Sequence, residues 1–141
     1  MADELTAPQA SSGHTRPLSP NIQIYRPQLT SVLSIANRIS GVVLSLAAVG
    51  LVFWLCAAAS GPHSYQMAQS AIRSTPGQIL LFGVTFAFFL HLCGGIRHLV
   101  WDTVHGFDLR SIYISGWIVV GASAALTVIT WAVSLFVDGW H

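Results

Sequence analysis

The sequence predicts an all-α membrane protein: three transmembrane helices preceded by an extended N-terminal arm on the cytoplasmic side. Three observations lead there. Of the 141 residues, 53% are hydrophobic and only 8% are charged, whereas an ordinary soluble domain carries about 25% charged residues. Three stretches, 39–72, 74–96 and 111–137, contain no Asp, Glu, Lys or Arg. Each is long enough for the ~20 helical residues that a bilayer core of about 30 Å requires. The basic residues, all six of them Arg, are distributed unevenly among the segments that join these stretches. This composition excludes a soluble enzyme and a disordered tail. A net charge of +1 leaves no basic stripe for nucleic acid.

The first 28 residues form the arm. They hold the acidic pair Asp3 and Glu4 and four of the six prolines. No basic segment followed by an apolar one is present, so the arm does not read as a cleaved signal peptide. Residues 1–14 are expected to be disordered. Pro17, Pro20 and Pro27 should hold the next stretch extended. Residues 29–141 form the anchor domain, with spans at about 31–59, 77–100 and 111–137. The first link opens with Gly61-Pro62, and its middle, 65–74, suits a short surface helix. The second link, 101–110, is polar and tight. Trp54, Trp101, Trp131 and Trp140 fall near span ends, where indole suits the membrane interface.

Orientation follows from the arginines. With three spans, the arm and the second link share a side, and they carry Arg16, Arg26, Arg38, Arg97 and Arg110. The other side has Arg73 alone. The larger share of Arg faces the cytoplasm, which puts the N-terminus inside and the C-terminus on the far side.

Several polar residues exceed what a passive anchor needs, because ionisable groups at membrane depth are costly. His91 lies inside the second span among Phe88, Phe89, Leu90 and Leu92. A neutral imidazole there is either a haem-iron ligand or a packing histidine bonded to a neighbouring helix. His91, Gly95, His98 and Asp102 are separated by four, three and four residues and share a helix face. Adjacent Gly94 and Gly95 cost about 1 kcal/mol each relative to Ala. They leave room either for a flat bulky group or for a close helix. His98 lies about 10 Å from His91 along the axis, so both cannot bind one iron. The remaining histidines fall in the arm, links or tail, so a six-coordinate haem would need a ligand from a partner subunit.

A second constellation, Ser34, Asn37, Arg38 and Gly41, opens the first span with spacings of three, one and three. Arg38, Arg97 and Asp102 all fall at the cytoplasmic end. Ser34 and Arg38 offer donors to a quinone carbonyl, and Asp102 offers a proton relay. The alternative is that Arg38 and Arg97 are flanking positive charges, with Asp102 paired to one of them.

These residues carry a family resemblance. Residues 16–25, Arg-Pro-Leu-Ser-Pro-Asn-Ile-Gln-Ile-Tyr, resemble the N-terminal arm of succinate dehydrogenase cytochrome b (b556-type) membrane anchors of complex II. Residues 34–41, Ser-Ile-Ala-Asn-Arg-Ile-Ser-Gly, resemble that family's S-I-x-H-R-x-[ST]-G entry to the first span. Residues 91–102 resemble its H-x-x-x-G-I-R-H-L-x-W-D segment. The resemblance runs from about Arg16 to Val137.

The resemblance implies an anchor of succinate:ubiquinone oxidoreductase in the bacterial inner membrane. Its partners are a flavoprotein carrying FAD, an iron–sulfur protein carrying the clusters, and a second small anchor. Electrons from succinate reach ubiquinone at the anchor interface, and a haem b is shared between the two anchors. His91 is then the axial haem ligand, Ser34 and Arg38 line the quinone site, and Asp102 supplies protons. Asn37, Arg97 and His98 are candidate contacts to the haem propionates or the quinone site. The chain departs from the family pattern at Asn37 and Asn21, where His is usual. Loss of a chargeable group at Asn37 implies a lower haem potential. The chain alone is not expected to be active, having no flavin or dinucleotide motif and no cysteine cluster. The rivals are a fumarate-reducing anchor and a haem-free structural anchor. A transporter is disfavoured by the lack of an internal repeat.

Overall fold

A computed structural model describes residues 28–103 and 108–138. The arm, including Arg16, Asn21 and Arg26, lies outside the described residues, as do His105 and Trp140. Four helices follow one another: α1 (Leu29–Ala59), α2 (Pro62–Arg73), α3 (Thr75–Asp102) and α4 (Leu109–Asp138). Helices α1, α3 and α4 are each long and apolar enough to cross a membrane. At about 1.5 Å per residue each exceeds the ~30 Å hydrocarbon layer, so their ends extend into the interface. Each spanning helix begins two residues before the start expected from the apolar pattern, because polar first turns continue the helix beyond the apolar stretch.

The surface helix α2 starts three residues earlier than expected, at Pro62. Proline suits a helix start, since its ring fixes φ and the missing N–H would have no intrahelical partner. Gly61 makes the corner with φ at 116°, a conformation in which a side chain is strained. Trp54 holds α2 against α1: its ring meets Tyr65 edge-on at 6.0 Å and its Nε1 donates to Gln69 Oε1 at 3.4 Å. Ser74 both ends α2 and opens α3. Its Oγ donates to the Ala71 carbonyl at 2.6 Å and accepts from the Gly77 amide at 3.3 Å. That double use makes the α2–α3 corner a single residue.

Successive spanning helices run antiparallel, and α3 packs against both α1 and α4. The buried positions are mostly small: Ser40, Ala87, Gly94, Gly116, Val119, Ser123 and Thr127. This is the packing expected in lipid, where apolar surface gains nothing by leaving its surroundings and close backbone approach does the work. The buried hydroxyls of Ser123 and Thr127 bond back to Val119 and Ser123 carbonyls at 2.6 and 2.8 Å, so they enter the interface without an unmet donor. Large apolar side chains such as Leu46, Phe53, Leu80 and Phe136 point outward. At one end of the α3–α4 pair Trp131 meets Phe82 edge-on at 5.5 Å and bonds Thr85. At the other end the tie is Arg97.

Candidate functional site

The site is built where α1 crosses α3. Gly94 is buried against Asn37; a Cβ placed on Gly94 would lie 2.5 Å from Asn37 Oδ1. One turn earlier on α3, His91 lies on α1 over Gly41, where an added Cβ would come 3.1 Å from the ring carbon Cε1. The two glycines, one on each helix, let the backbones approach. The imidazole then reaches the α1 main chain: Nδ1 lies 3.1 Å from the Asn37 carbonyl oxygen and 3.2 Å from Ser40 Oγ.

These contacts decide which nitrogen carries the proton. A carbonyl oxygen only accepts, so Nδ1 at 3.1 Å from it is the N–H donor. The other nitrogen, Nε2, keeps its lone pair, and no hydrogen bond among the described residues occupies it. A neutral imidazole fixed through Nδ1–H with a bare Nε2 is the arrangement used by metal-bound histidines. Among the described residues no cluster of three or more His, Cys, Asp or Glu stands ready for a metal ion. His63 lies on α2 and His98 lies two turns along α3, so neither stands at the depth of His91. The donor set therefore fits one axial ligand of a haem and no protein-only metal cage.

Of the paired glycines, each answers a different need. Gly94 serves the close helix, whereas an added Cβ on Gly95 would meet nothing within 4 Å. Gly95 shares the face of His91 and leaves open space beside it.

One turn further toward the C-terminal end of α3 is a cavity of about 120 Å³, lined by Thr30, Ser34, Gly94, Arg97, His98 and Trp101 together with apolar side chains. Ser34 also borders an open surface groove with Thr30, Ser31 and Ile35, so it stands between the cavity and the outside. Arg97 is half-buried. Its Nε donates to Ser115 Oγ and its Nη2 to the Ile112 carbonyl, both at 3.0 Å, and its guanidinium lies 4.1 Å over the Trp101 ring. It therefore ties α3 to α4 while still edging the cavity, unlike a loose flanking charge. His98 is exposed, with its ring edge-on to Trp101 at 5.5 Å.

The structure thus gathers Asn37, Ser40, Gly41, His91 and Gly94 at one crossing, and Ser34, Arg97 and His98 around the adjoining cavity. Arg38 and Asp102 are exposed and stand apart from that cavity. Arg97 bonds to α4, and no ion pair joins it to Asp102 among the described residues. Two partners are not singled out by the sequence reading, Ser40 and Ser115. Ser40 has a weak signal, its position one turn after Asn37; Ser115 has none, because nothing local ties it to a residue 18 positions earlier.

Three membrane-length helices, a histidine held within one of them and a cavity edged by Ser34, Arg97 and His98 define a multi-pass membrane protein with one candidate site. Residues 12–130 match the family described as Succinate dehydrogenase/Fumarate reductase transmembrane subunit. The chain is 44% identical over 116 residues to the "Succinate dehydrogenase cytochrome b556 subunit" of Rickettsia conorii, covering 82% of this chain and 90% of that one. It is 36% identical to the subunit of the same name from Paracoccus denitrificans, with 82% and 88% covered. It is 34% identical to the "Succinate dehydrogenase cytochrome b560 subunit" of Reclinomonas americana, with 84% and 85% covered. The chain belongs to the Succinate dehydrogenase/Fumarate reductase transmembrane subunit family, as a membrane anchor of complex II.

Proposed function

We propose that this chain provides one axial ligand, His91, to a haem b, and contributes Ser34 and Arg38 to a ubiquinone-reduction site. The observation that carries the reading is the His91 imidazole, engaged through Nδ1 by the α1 main chain and bare at Nε2. When bound, haem b supplies a one-electron donor and acceptor beside the quinone site. The second ligand comes from another small anchor subunit. Gly95 opens space on the His91 face for the macrocycle. Asn37, Arg97 and His98 are the candidate polar contacts, for the propionates or for the quinone site.

At the cytoplasmic end, Ser34 donates to a quinone carbonyl from the mouth of the groove, with Arg38 approaching from outside the cavity. Asp102, exposed at the end of α3, passes protons from water to the reduced quinone. The catalytic flavoprotein and iron–sulfur subunits dock on this side. Arg38, Arg97, Arg110 and the two arginines of the arm, against Arg73 alone on the other side, support a cytoplasmic setting for it, in keeping with a bacterial inner membrane. Names of the relatives support succinate oxidation over fumarate reduction.

The test is a reduced-minus-oxidised optical spectrum of the purified complex, scored as haem b per copy of this chain. One haem per chain, lost in His91→Ala, is expected. An intact quinone-reducing complex without haem would overturn the ligand assignment and leave a haem-free anchor.

A further inference from the structure

Ser40 occupies an unusual position for a serine in a membrane helix. It is 3% exposed, whereas Ser45, five residues further along α1, is exposed. Both hydroxyls bond back to a carbonyl of their own helix, Ser40 to Asn37 at 2.7 Å and Ser45 to Gly41 at 3.0 Å. Only Ser40 has a second partner, His91 Nδ1 at 3.2 Å. Three polar atoms therefore form a closed triangle: the Asn37 carbonyl oxygen, Ser40 Oγ and His91 Nδ1.

The capacity of each atom determines how the protons are arranged. A carbonyl oxygen has two lone pairs. In α1 the Asn37 carbonyl faces the ladder amide four residues on, and it also receives the Ser40 hydroxyl proton. The carbonyl therefore shares its acceptor capacity among three donors, and its bond from Nδ1–H is weakened by the sharing. Ser40 Oγ, having spent its proton on the carbonyl, keeps its lone pairs, and they face Nδ1. Serine thus serves as a second acceptor for Nδ1–H beside the crowded carbonyl, and its own bond to the carbonyl makes it a stronger one, since linked hydrogen bonds polarise each other. The reverse tautomer, with a bare Nδ1, would set lone pair against lone pair at the carbonyl.

We infer that Ser40 is a positioning residue for the His91 ligand, holding its ring plane and, as second acceptor of Nδ1–H, raising the electron-donating strength of Nε2 toward a haem iron. The inference rests on His91 being that ligand. An imidazole whose distal N–H is well accepted is more basic at the coordinating nitrogen, and a more basic ligand favours ferric over ferrous iron. Gly41 completes the device on the Cε1 side, because a Cβ there would lie 3.1 Å from Cε1 and the ring would have to give way by a few tenths of an ångström.

The experiment uses the whole purified complex with His91→Ala, Ser40→Ala, Ser40→Cys and Ser40→Thr. Readouts are the haem midpoint potential by optical potentiometry and the low-spin EPR signal of the ferric haem. Ser40→Ala is expected to raise the potential and shift the EPR g values, with haem retained. Ser40→Cys keeps the volume with a weak acceptor and is expected to shift both in the same direction by less. Ser40→Thr keeps the hydroxyl and is expected to match the parent. If Ser40→Ala does not assemble, the Cys variant carries the comparison. Loss of haem in His91→Ala together with parent-like potentials and EPR spectra in the Ala or Cys variant overturns the role of Ser40 alone. Retention of low-spin haem b in His91→Ala overturns the ligand assignment itself.

Discussion

Gly94→Ala is the most direct probe of the α1–α3 crossing. The added Cβ falls 2.5 Å from Asn37 Oδ1 and 3.2 Å from its Cγ, where ordinary contact begins at 3.4 Å. The Asn37 oxygen has no hydrogen-bond partner to hold it, yet it is sealed from solvent on all sides, so simple rotation has little room. Relief by helix separation of roughly 0.9 Å would stretch the 3.1 Å contact between His91 Nδ1 and the Asn37 carbonyl beyond hydrogen-bond range. Overpacking costs about 1–3 kcal/mol, set against a gain of about 1 kcal/mol for Ala over Gly in a helix. Gly83→Ala, on the same helix with nothing within 4 Å of its Cβ, receives the gain alone. The difference between the two variants is therefore about 1–3 kcal/mol. It is measured by unfolding of the detergent-solubilised complex followed through haem absorbance. Asn37→Ala removes the obstructing atoms, so the double variant should recover most of the loss, a coupling within the ~0.5–3 kcal/mol usual for touching residues. Equal stabilities for Gly94→Ala and Gly83→Ala, or no recovery in the double variant, would refute the reasoning.

Other consequences are equally open to measurement. Asn37→His restores a chargeable group beside the site and is expected to raise the haem potential; an unchanged or lower value in a redox titration would count against it. Arg97→Lys forfeits the fork that reaches both Ser115 and the Ile112 carbonyl, with an expected loss of about 1.5–3 kcal/mol in thermal or denaturant unfolding, and parent-like stability would show that the α3–α4 tie is immaterial. Gly61→Ala strains a residue at φ 116° and should cost about 1–3 kcal/mol, whereas Gly50→Ala, with no neighbour for its Cβ, should not destabilise. Asp102→Asn is expected to slow quinone reduction with the haem spectrum unchanged, and Asp102→Glu to restore most of the rate; unchanged turnover in the Asn variant would remove Asp102 from the proton path.

The sequence by itself determined the three spans and the short helix between the first two, and it singled out His91 as a candidate. Apolar length is a one-dimensional property, and a histidine within an apolar run is conspicuous without coordinates. It also showed that Gly94 and Gly95 needed a reason, leaving open a close helix or open space. Only the tertiary structure divided them, Gly94 to the helix contact and Gly95 to the open face. It likewise turned Arg97 from a flanking charge into a tie to Ser115, and brought Ser34 to the cavity while leaving Arg38 outside. The cause lies in the solvent. In a membrane helix the outward face is as apolar as the packed one, so hydrophobic periodicity does not reveal which side meets a neighbour. Helical spacing puts Ser34, Asn37 and Gly41 on a common face, but the neighbour that face meets is set by the crossing of α1 and α3. The proton on Nδ1 of His91 depends on that crossing too, because it is fixed by a main-chain carbonyl of another helix, which no side-chain pattern encodes.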